Sequence, residues 1–279
     1  MSEMDEGEKT MMIGGREFQT AGHTYVMGIL NVTPDSFSDG GNWNELDKAL
    51  YHVEEMARSG ADVIDIGGES TRPGNVIEIS DQEEIQRVLP VIEAVKARFD
   101  LPVSLDTYKW SVAKAGIEAG IDLVNDIWGL KHDDKIASVI STSGLPCCLM
   151  HNRKNVLYRN FMQDVTEDLR ETLALAEMAG IGKDRIILDP GVGFAKSYEQ
   201  NLEVIGRLEE LMSLECPLLL GCSRKSVIGL TLDLPVDQRL EGTLAITVMA
   251  VMKGCMFVRV HDVKENVRAI RMAEAILGC

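Results

Sequence analysis

Polar side chains follow the short apolar runs of this sequence, at or near the point where each run stops. Arg259 and His261 lie two residues apart, so on a strand both side chains would point to the same face. Burying a whole rim of polar groups is costly without a function, so we expect these residues to line a site. The candidates are Asn31, Glu69, Thr71, Arg72, Asp106, Asn125, His151, Asp189, Ser223, Lys225, Arg259 and His261.

One set of candidates combines hydrogen-bond acceptors with donors. Carboxylates pair well with planar, guanidine-like edges, and amide and ammonium groups satisfy ring nitrogens and carbonyls. This combination predicts a pocket for a flat heterocycle with an amino-amide edge. The members of the set are Asp106, Asn125, Asp189 and Lys225.

A second set predicts an anion site of phosphate size. Arg72, Arg259 and His261 supply cationic or proton-bearing groups, and Asn31 adds an amide. Ser223 opens the polar segment 223–226 before a short helical turn, and helix N-termini bind anions. Asn31 and Asp35 offer oxygen ligands, so a hard cation such as magnesium is expected to bridge the anion.

Single positions of this rim also have structural explanations. Asp106 could cap the next helix, and the Asn125-Asp126 pair and the DPG sequence at 189–191 could form turns. His151 is as compatible with a hydrogen-bonded rim histidine as with a functional one. The loops after the first two strands, with Phe37 and Arg72, are long enough to act as lids over the mouth of a barrel.

The elements that must position these residues follow from the apolar spacing. Several runs are almost continuously apolar, which is typical of parallel strands buried on both faces. Strands are predicted at 25–31, 62–68, 102–107, 122–126, 146–151, 186–191, 217–223 and 256–262. Helices are predicted at 44–59, 81–98, 109–119, 133–143, 161–179, 198–213, 238–253 and 263–277.

This alternation predicts a single (β/α)8 TIM barrel with its active site at the C-terminal ends of the strands. The alternative is an open doubly wound sheet, but no G-x-G-x-x-G follows the first strand. We predict an N-terminal tail and lead-in over 1–20 and one barrel domain over 21–279.

The composition limits the partners that we expect. The 279 residues carry a formal net charge of −16, which argues against non-specific nucleic-acid binding. The start of the chain lacks the pattern of a secretory signal, and no apolar run approaches the ~20 residues of a membrane span. Six cysteines without a C-x-x-C pair predict unpaired thiols in a cytoplasmic protein.

About residues 25–275 resemble dihydropteroate synthases, because the motifs of that family occur here in the family's order. The motifs are NVTPDSFSDGG at 31–41, ADVIDIGGESTRPG at 61–74, SLDT at 104–107, VND at 124–126, LMHNR at 149–153, DPGVGFAK at 189–196, GCSRKS at 221–226 and RVHDV at 259–263. The resemblance implies a TIM barrel, usually a homodimer, that condenses 6-hydroxymethyl-7,8-dihydropterin diphosphate with p-aminobenzoate. The products would be 7,8-dihydropteroate and diphosphate.

The resemblance also implies roles for individual residues. Asp106, Lys225, Arg259 and His261 would be catalytic. The pterin would contact Asp106, Asn125, Met150, Asp189, Phe194 and Lys225. Diphosphate and p-aminobenzoate would contact Asn31, Phe37, Thr71, Arg72, Pro73, Ser223, Arg259 and His261. Asn31 would hold Mg²⁺, with Asp35 as a second candidate ligand.

We expect a dissociative reaction without a covalent enzyme intermediate, in which Asp106 stabilises a pterin cation. The sequence departs from the family pattern at Ala195, where glycine is usual, and at Trp128, where small residues are common. One rival is a methyltetrahydrofolate-dependent corrinoid methyltransferase of the same barrel class, which needs no diphosphate site. A second is a pterin-binding barrel without activity.

Overall fold

The computed structural model describes residues 10–32, 45–70 and 78–278. From Tyr25 onwards, strands and helices alternate within these ranges as the apolar spacing predicts, except that two helices separate the last two strands. The strands are β1 Thr10–Ile13, β2 Arg16–Gln19, β3 Tyr25–Asn31, β4 Val63–Gly67, β5 Val103–Asp106, β6 Leu123–Asp126, β7 Cys147–Met150, β8 Ile186–Asp189, β9 Leu219–Leu220 and β10 Phe257–Val260. The helices are α1 Glu45–Ser59, α2 Asp81–Arg98, α3 Trp110–Glu118, α4 Ile136–Ser143, α5 Phe161–Met178, α6 Tyr198–Gly206, α7 Ser226–Leu232, α8 Leu240–Met252 and α9 Val263–Leu277.

The strands β3 to β10 form one parallel sheet that closes on itself. Their order is β8-β7-β6-β5-β4-β3-β10-β9. A parallel bridge between Leu188 and Leu218 joins the two ends of this order, and the Leu188 N–H donates to the Pro217 carbonyl at 2.9 Å. The predicted (β/α)8 barrel is therefore confirmed, and the open doubly wound sheet is excluded.

The helix predicted at 198–213 is two elements. The α-helix α6 ends at Gly206, and a 3-10 helix covers Leu208–Leu214. Leu208, Leu211 and Leu214 are buried and lie three residues apart, which matches the repeat of a 3-10 helix rather than that of an α-helix. The prediction of one continuous helix was wrong at this point.

The N-terminal ends of the barrel strands are covered by a hairpin that the sequence analysis did not predict. Strands β1 and β2 pair antiparallel, and Met11, Ile13 and Phe18 are buried. The Phe18 ring lies 5.7 Å from that of Phe257, at the first residue of β10. The hairpin lies within the predicted tail and lead-in, and it seals this end of the barrel with apolar contacts.

Two further observations concern the whole described chain. No helix within 10–32, 45–70 and 78–278 has the length and apolar character needed to cross a membrane. The cysteines in these ranges are buried and carry unpaired thiols, as predicted, at Cys147, Cys148, Cys216, Cys222 and Cys255.

Candidate active site

The opposite end of the barrel collects the predicted polar residues at one rim. The strand register places Asn31 beside Gly67, Gly67 beside Asp106, and Asp106 beside Asn125. The predicted site residues within the described ranges are Asn31, Glu69, Asp106, Asn125, Met150, His151, Asp189, Phe194, Ser223, Lys225, Arg259 and His261. Asp35, Phe37, Thr71, Arg72 and Pro73 lie outside the described residues, and their predicted roles stay predictions.

The centre of the mouth is formed by Asp65, Asp106 and Arg259, which we call the acid cluster. Arg259 Nε donates to Asp65 Oδ2 at 2.5 Å, and its Nη2 donates to Asp106 Oδ2 at 2.8 Å. Asn125 Nδ2 also donates to Asp65 Oδ2, at 3.2 Å. One guanidinium therefore bridges two carboxylates that come from β4 and β5.

The acid cluster retains acceptor capacity. Among the described residues, Asp65 Oδ1 and Asp106 Oδ1 are buried side-chain atoms that receive no hydrogen bond, and so is Ser104 Oγ. Native proteins seldom leave a buried polar atom without a partner, because its desolvation costs about 1–3 kcal/mol. These two carboxylate oxygens are therefore suited to accept N–H groups from a ligand.

Burial sets the protonation of the acid cluster. Burial raises the pKa of Asp106 to about 7, with Arg259 opposing the rise and Asp65 adding to it. Burial alone would lower the pKa of Arg259, but the charges of Asp65 and Asp106 outweigh burial and raise it. Arg259 is therefore cationic at neutral pH, while Asp106 titrates close to neutrality.

A second group in the mouth surrounds Asp189. A Cβ atom added to Gly221 would lie 3.5 Å from Asp189 Oδ2 and 3.9 Å from both Arg259 Cβ and Lys225 Nζ, so these three side chains converge there. Lys225 Nζ donates to the Val192 carbonyl and lies 4.9 Å from the centre of the Phe194 ring. Burial raises the pKa of Asp189 and lowers that of Lys225, and each charge opposes the shift of the other.

An apolar wall stands beside these polar groups. Met150 is buried in a small cluster with Tyr108 and Ile127, against which Phe194 and Trp128 pack. Aromatic and thioether side chains next to a few fixed polar groups are typical of pockets for flat ligands. Trp128, one of the two departures from the family pattern, is therefore part of the wall.

The anion side of the mouth is built by the ends of β9 and β10. Ser223 Oγ and His261 Nδ1 are 2.9 Å apart, and the His261 backbone N–H donates to Ser223 Oγ at 3.2 Å. Arg224, which the sequence analysis did not assign, binds Asp262 through two nitrogens and so ties the two loops together. The structure thus brings Ser223 and His261 into contact.

Two of the open structural explanations are answered by hydrogen bonds. Asp126 accepts the backbone N–H groups of Trp128 and Leu130 at 2.8 and 2.7 Å, so it stabilises a turn. Asp189 combines a structural role with a place in the site. One of its oxygens stabilises the turn by accepting the Gly191 N–H at 2.7 Å, while the other faces Gly221 in the mouth. Asn125 contacts Asp65 within the site.

Asp65 is the site residue that the sequence analysis missed. It is fully buried, yet it contacts both Arg259 and Asn125. The available signal was a carboxylate inside the apolar run VIDIG of β4, where a strand buried on both faces should be apolar throughout. Asp65 lies inside the predicted strand 62–68, and its side chain belongs to the mouth.

Several known proteins resemble this chain in sequence and in fold. A family model described as "Pterin binding enzyme" matches residues 27–261. A curated dihydropteroate synthase from Clostridium beijerinckii is 57% identical over 268 residues, covering 96% of this chain and 99% of that protein. A crystal structure of a Clostridium difficile dihydropteroate synthase in the presence of pteroic acid is 50% identical, with a TM-score of 0.89 over 92% of this chain and 98% of that one. A Xanthomonas albilineans dihydropteroate synthase with 4-aminobenzoic acid is 38% identical, with a TM-score of 0.92 over 98% of this chain and 100% of that one.

Proposed function

The chain belongs to the dihydropteroate synthase family of pterin-binding enzymes, and we propose that its reaction is dissociative and takes place at the acid cluster. It is a transferase that joins 6-hydroxymethyl-7,8-dihydropterin diphosphate to p-aminobenzoate in folate synthesis. The observation that carries the proposal is the pair of buried carboxylate oxygens, on Asp65 and Asp106, that no described group satisfies.

The pterin ring is assigned to the half of the mouth around these oxygens. Its N–H groups would donate to Asp106, Asp65 and Asp189, which are acceptors when ionised. Asn125 and Lys225 would satisfy the ring carbonyl and ring nitrogens. The faces of the ring would pack on Met150 and Phe194, which lie in or against the apolar wall. Asp65 enters this assignment from the structure and the other residues from the sequence.

Diphosphate and p-aminobenzoate are assigned to the other half. Arg259 and His261 would bind diphosphate, together with Asn31 at the end of β3. Ser223 lies close to His261 and would contact the p-aminobenzoate carboxylate. Thr71, Arg72, Pro73 and Phe37 are proposed to complete this half, on the strength of the sequence.

In the reaction that we propose, the bond between the methylene carbon and the diphosphate oxygen breaks first. The electron pair leaves with the oxygen, and the positive charge spreads over the dihydropterin ring. Ionised Asp106 stabilises this cation, while Arg259 and His261 stabilise the charge on diphosphate. The amine of p-aminobenzoate then attacks the methylene carbon and loses a proton. No protein atom forms a covalent bond to the pterin.

The order of these steps can be tested with substrate that carries ¹⁸O in the bridge between the methylene group and phosphorus. Reversible cleavage before attack would scramble the label into the non-bridging oxygens of that phosphorus during incubation without p-aminobenzoate. Label that stays in the bridge, or isolation of a pterin covalently bound to the protein, would contradict the dissociative order.

Magnesium remains the metal ion that we propose, with Asn31 as its ligand in the described chain. A Cβ atom added to Gly67 would lie 3.9 Å from Asn31 Oδ1 and 3.7 Å from Asp106 Oδ2, so glycine keeps space open between these oxygens. No group of three or more His, Cys, Asp or Glu side chains suited to a metal occurs within 10–32, 45–70 and 78–278. One protein oxygen fits Mg²⁺, which usually keeps water and substrate phosphates as its other ligands.

When bound, the ion would neutralise negative charge on the diphosphate. Removal of divalent metal with EDTA should therefore abolish turnover, and added Mg²⁺ should restore it. Asn31→Ala should raise the Mg²⁺ concentration needed for half-maximal rate. Full activity of the metal-free enzyme would contradict the assignment.

A homodimer is proposed from the apolar outer surface of α8 and α9. These helices pack against each other and leave Met252, Met272 and Ile276 exposed, with Ile276 73% accessible. Exposed apolar side chains on neighbouring helices are often covered by a partner. Met252→Asp should convert a dimer to a monomer in light scattering, and a wild-type protein that is monomeric at micromolar concentration would refute the proposal.

The expected cytoplasmic location stays a prediction.

The activity itself has a direct assay. Diphosphate should be released, and 7,8-dihydropteroate formed, when both substrates are present. A corrinoid methyltransferase would instead transfer the methyl group of methyltetrahydrofolate, and an inactive pterin-binding barrel would bind pterin without turnover. Either result, with a dihydropteroate synthase from another source active in the same assay, would overturn the assignment.

A further inference from the structure

A second buried polar cluster lies behind the pterin pocket and takes no part in the proposed chemistry. It consists of Lys196, His151 and Asp168, which we call the lysine buttress. Lys196 ends the turn that follows β8, His151 directly follows β7, and Asp168 lies in α5. Lys196 is 8% exposed and the His151 side chain is fully buried. Lysine is almost never buried to this degree without specific partners.

The hydrogen-bonding capacity of Lys196 is fully used. Its Nζ lies 2.8 Å from His151 Nδ1, and it donates to the Gly191 carbonyl at 2.9 Å and to the Phe194 carbonyl at 3.1 Å. An ammonium group has three N–H donors and no acceptor, so His151 Nδ1 must accept. His151 Nε2 then carries the ring proton and donates to Asp168 Oδ2, 2.9 Å away.

The protonation states agree with this direction of donation. Burial lowers the pKa of His151 to about 4, so the ring is neutral and can accept at Nδ1. Burial alone would raise the pKa of Asp168, but hydrogen bonds from His151 and Arg153 outweigh it and lower the pKa. Burial lowers the pKa of Lys196 to about 7, with Asp189 opposing the shift, so the ammonium form with its three N–H donors predominates below that pH.

The two carbonyls bound by Lys196 belong to the turn that shapes the pterin pocket. Gly191 donates its N–H to Asp189 Oδ1, and the Phe194 ring packs on the apolar wall and lies close to Lys225 Nζ. A Cβ atom on Gly191 would lie 2.0 Å from the His151 carbonyl oxygen, so the turn is in contact with the end of β7. Lys196 therefore holds the backbone on either side of Val192 and Gly193.

We infer that Lys196, oriented by His151 and Asp168, is a positioning residue that holds Asp189 and Phe194 in the geometry needed to bind the pterin ring. This inference rests on the proposed pterin site and adds to it a group that never touches the substrate. Without the ammonium, the Phe194 carbonyl would lose the Lys196 donor, while the Gly191 carbonyl would keep the Phe194 N–H at 3.1 Å. The turn would therefore be held less firmly and would relax. The effect should appear in pterin affinity, because p-aminobenzoate is assigned to the other half of the mouth.

The test compares Lys196→Met with wild type. Loss of the hydrogen bonds to the turn should raise the Kd for 6-hydroxymethyl-7,8-dihydropterin diphosphate, measured by calorimetry, about tenfold to hundredfold. The KM for p-aminobenzoate should change by less than about threefold, a difference well below 1.4 kcal/mol. Lys183→Met is the matched control, because Lys183 is exposed and forms an ion pair with Glu215 at 2.9 Å on the protein surface; this change should leave both values unchanged.

Lys196→Arg provides a second variant that keeps the positive charge. A guanidinium cannot direct three N–H groups from one atom, so this variant should also lose pterin affinity, by a smaller factor than Lys196→Met. If either variant folds and has a lowered thermal midpoint but wild-type pterin affinity, the lysine buttress stabilises the fold without positioning the pterin site. That result would overturn the inference. Failure of the wild-type protein to bind pterin would instead remove the proposed function, and this inference with it.

Discussion

The acid cluster and the lysine buttress are both built around a basic side chain, but they differ in how completely their polar atoms are satisfied. In the lysine buttress, every N–H of Lys196 has an acceptor and the His151 ring is bonded at both nitrogens. In the acid cluster, Arg259 bridges two carboxylates, yet one oxygen of each receives no hydrogen bond from a described group. The difference separates a scaffold from a binding site.

The two clusters should also differ in their contribution to the stability of the fold. A satisfied buried network stabilises the fold and fixes a local geometry, whereas an unsatisfied one costs stability that a ligand can recover. We therefore expect changes in the acid cluster to act on turnover more than on stability. Changes in the lysine buttress should act on geometry and stability.

The largest effect is expected at Asp106. Asp106→Ala removes the carboxylate that stabilises the pterin cation, so kcat/KM should fall at least about a thousandfold. Arg259 keeps its bond to Asp65, and the fold should persist, with a thermal midpoint close to that of wild type. Steady-state kinetics together with calorimetry measure both quantities. Near-normal turnover would show that the Asp106 carboxylate does not stabilise the pterin cation.

The next effect concerns the stability of the lysine buttress against acid. The pKa of His151 is lowered from 6.5 to about 4 in the folded protein, so between these pH values the unfolded chain binds more protons. The free energy of unfolding contributed by this ring is complete above pH 6.5 and is lost as the pH falls towards 4, by about 3 kcal/mol. Chemical denaturation at several pH values should show a weaker dependence over this window for His151→Asn. An identical dependence in both proteins would contradict the prediction.

A smaller effect is expected on activity as Asp106 titrates. The carboxylate must be ionised, and burial raises its pKa to about 7, so kcat/KM should rise about tenfold per pH unit below that pKa and level off above it. Asp65→Asn removes a negative charge that raises the pKa of Asp106, so the acidic limb should move to lower pH. A limb that stays in place in Asp65→Asn would argue that another group titrates.

The smallest effect is expected at Ala195, in the turn held by Lys196. Its φ of 46° lies in the left-handed region, which costs a residue with a Cβ about 1 kcal/mol relative to glycine. Ala195→Gly should therefore raise the free energy of unfolding by about 1 kcal/mol, without altering turnover. The reverse control is Gly15→Ala, because Gly15 has a φ of 76° and an added Cβ meets nothing within 4 Å. A loss of stability in Ala195→Gly would contradict the prediction that the left-handed backbone at Ala195 costs stability.

Most of the barrel could be predicted from the sequence, because buried parallel strands are apolar throughout and stop at polar residues. The strand from Tyr25 to Asn31 and the helix from Asp81 to Arg98 have their predicted bounds. The hairpin at 10–19 was not predicted, because its few buried side chains are buried by strands that are distant in the sequence.

The site was predictable where a polar residue follows a strand, as at Asp106, and not where it lies inside one, as at Asp65. The lysine buttress was beyond sequence reasoning for a different reason. His151, Asp168 and Lys196 are separated along the chain, and neither periodicity nor a motif indicates that they meet. For His151, the hydrogen bonds favour the explanation as a hydrogen-bonded rim histidine, which orients Lys196 and does not contact the substrate itself.

A crystal structure with the pterin substrate bound would show directly whether the acid cluster binds the ring and the lysine buttress does not. Ring N–H groups should lie within hydrogen-bonding distance of Asp65 Oδ1 and Asp106 Oδ1, the atoms that no described group satisfies. The three contacts of Lys196 should stay as they are, because the lysine buttress is complete without ligand. A pterin bound away from both oxygens, or contacting Lys196 itself, would contradict the division between binding site and scaffold.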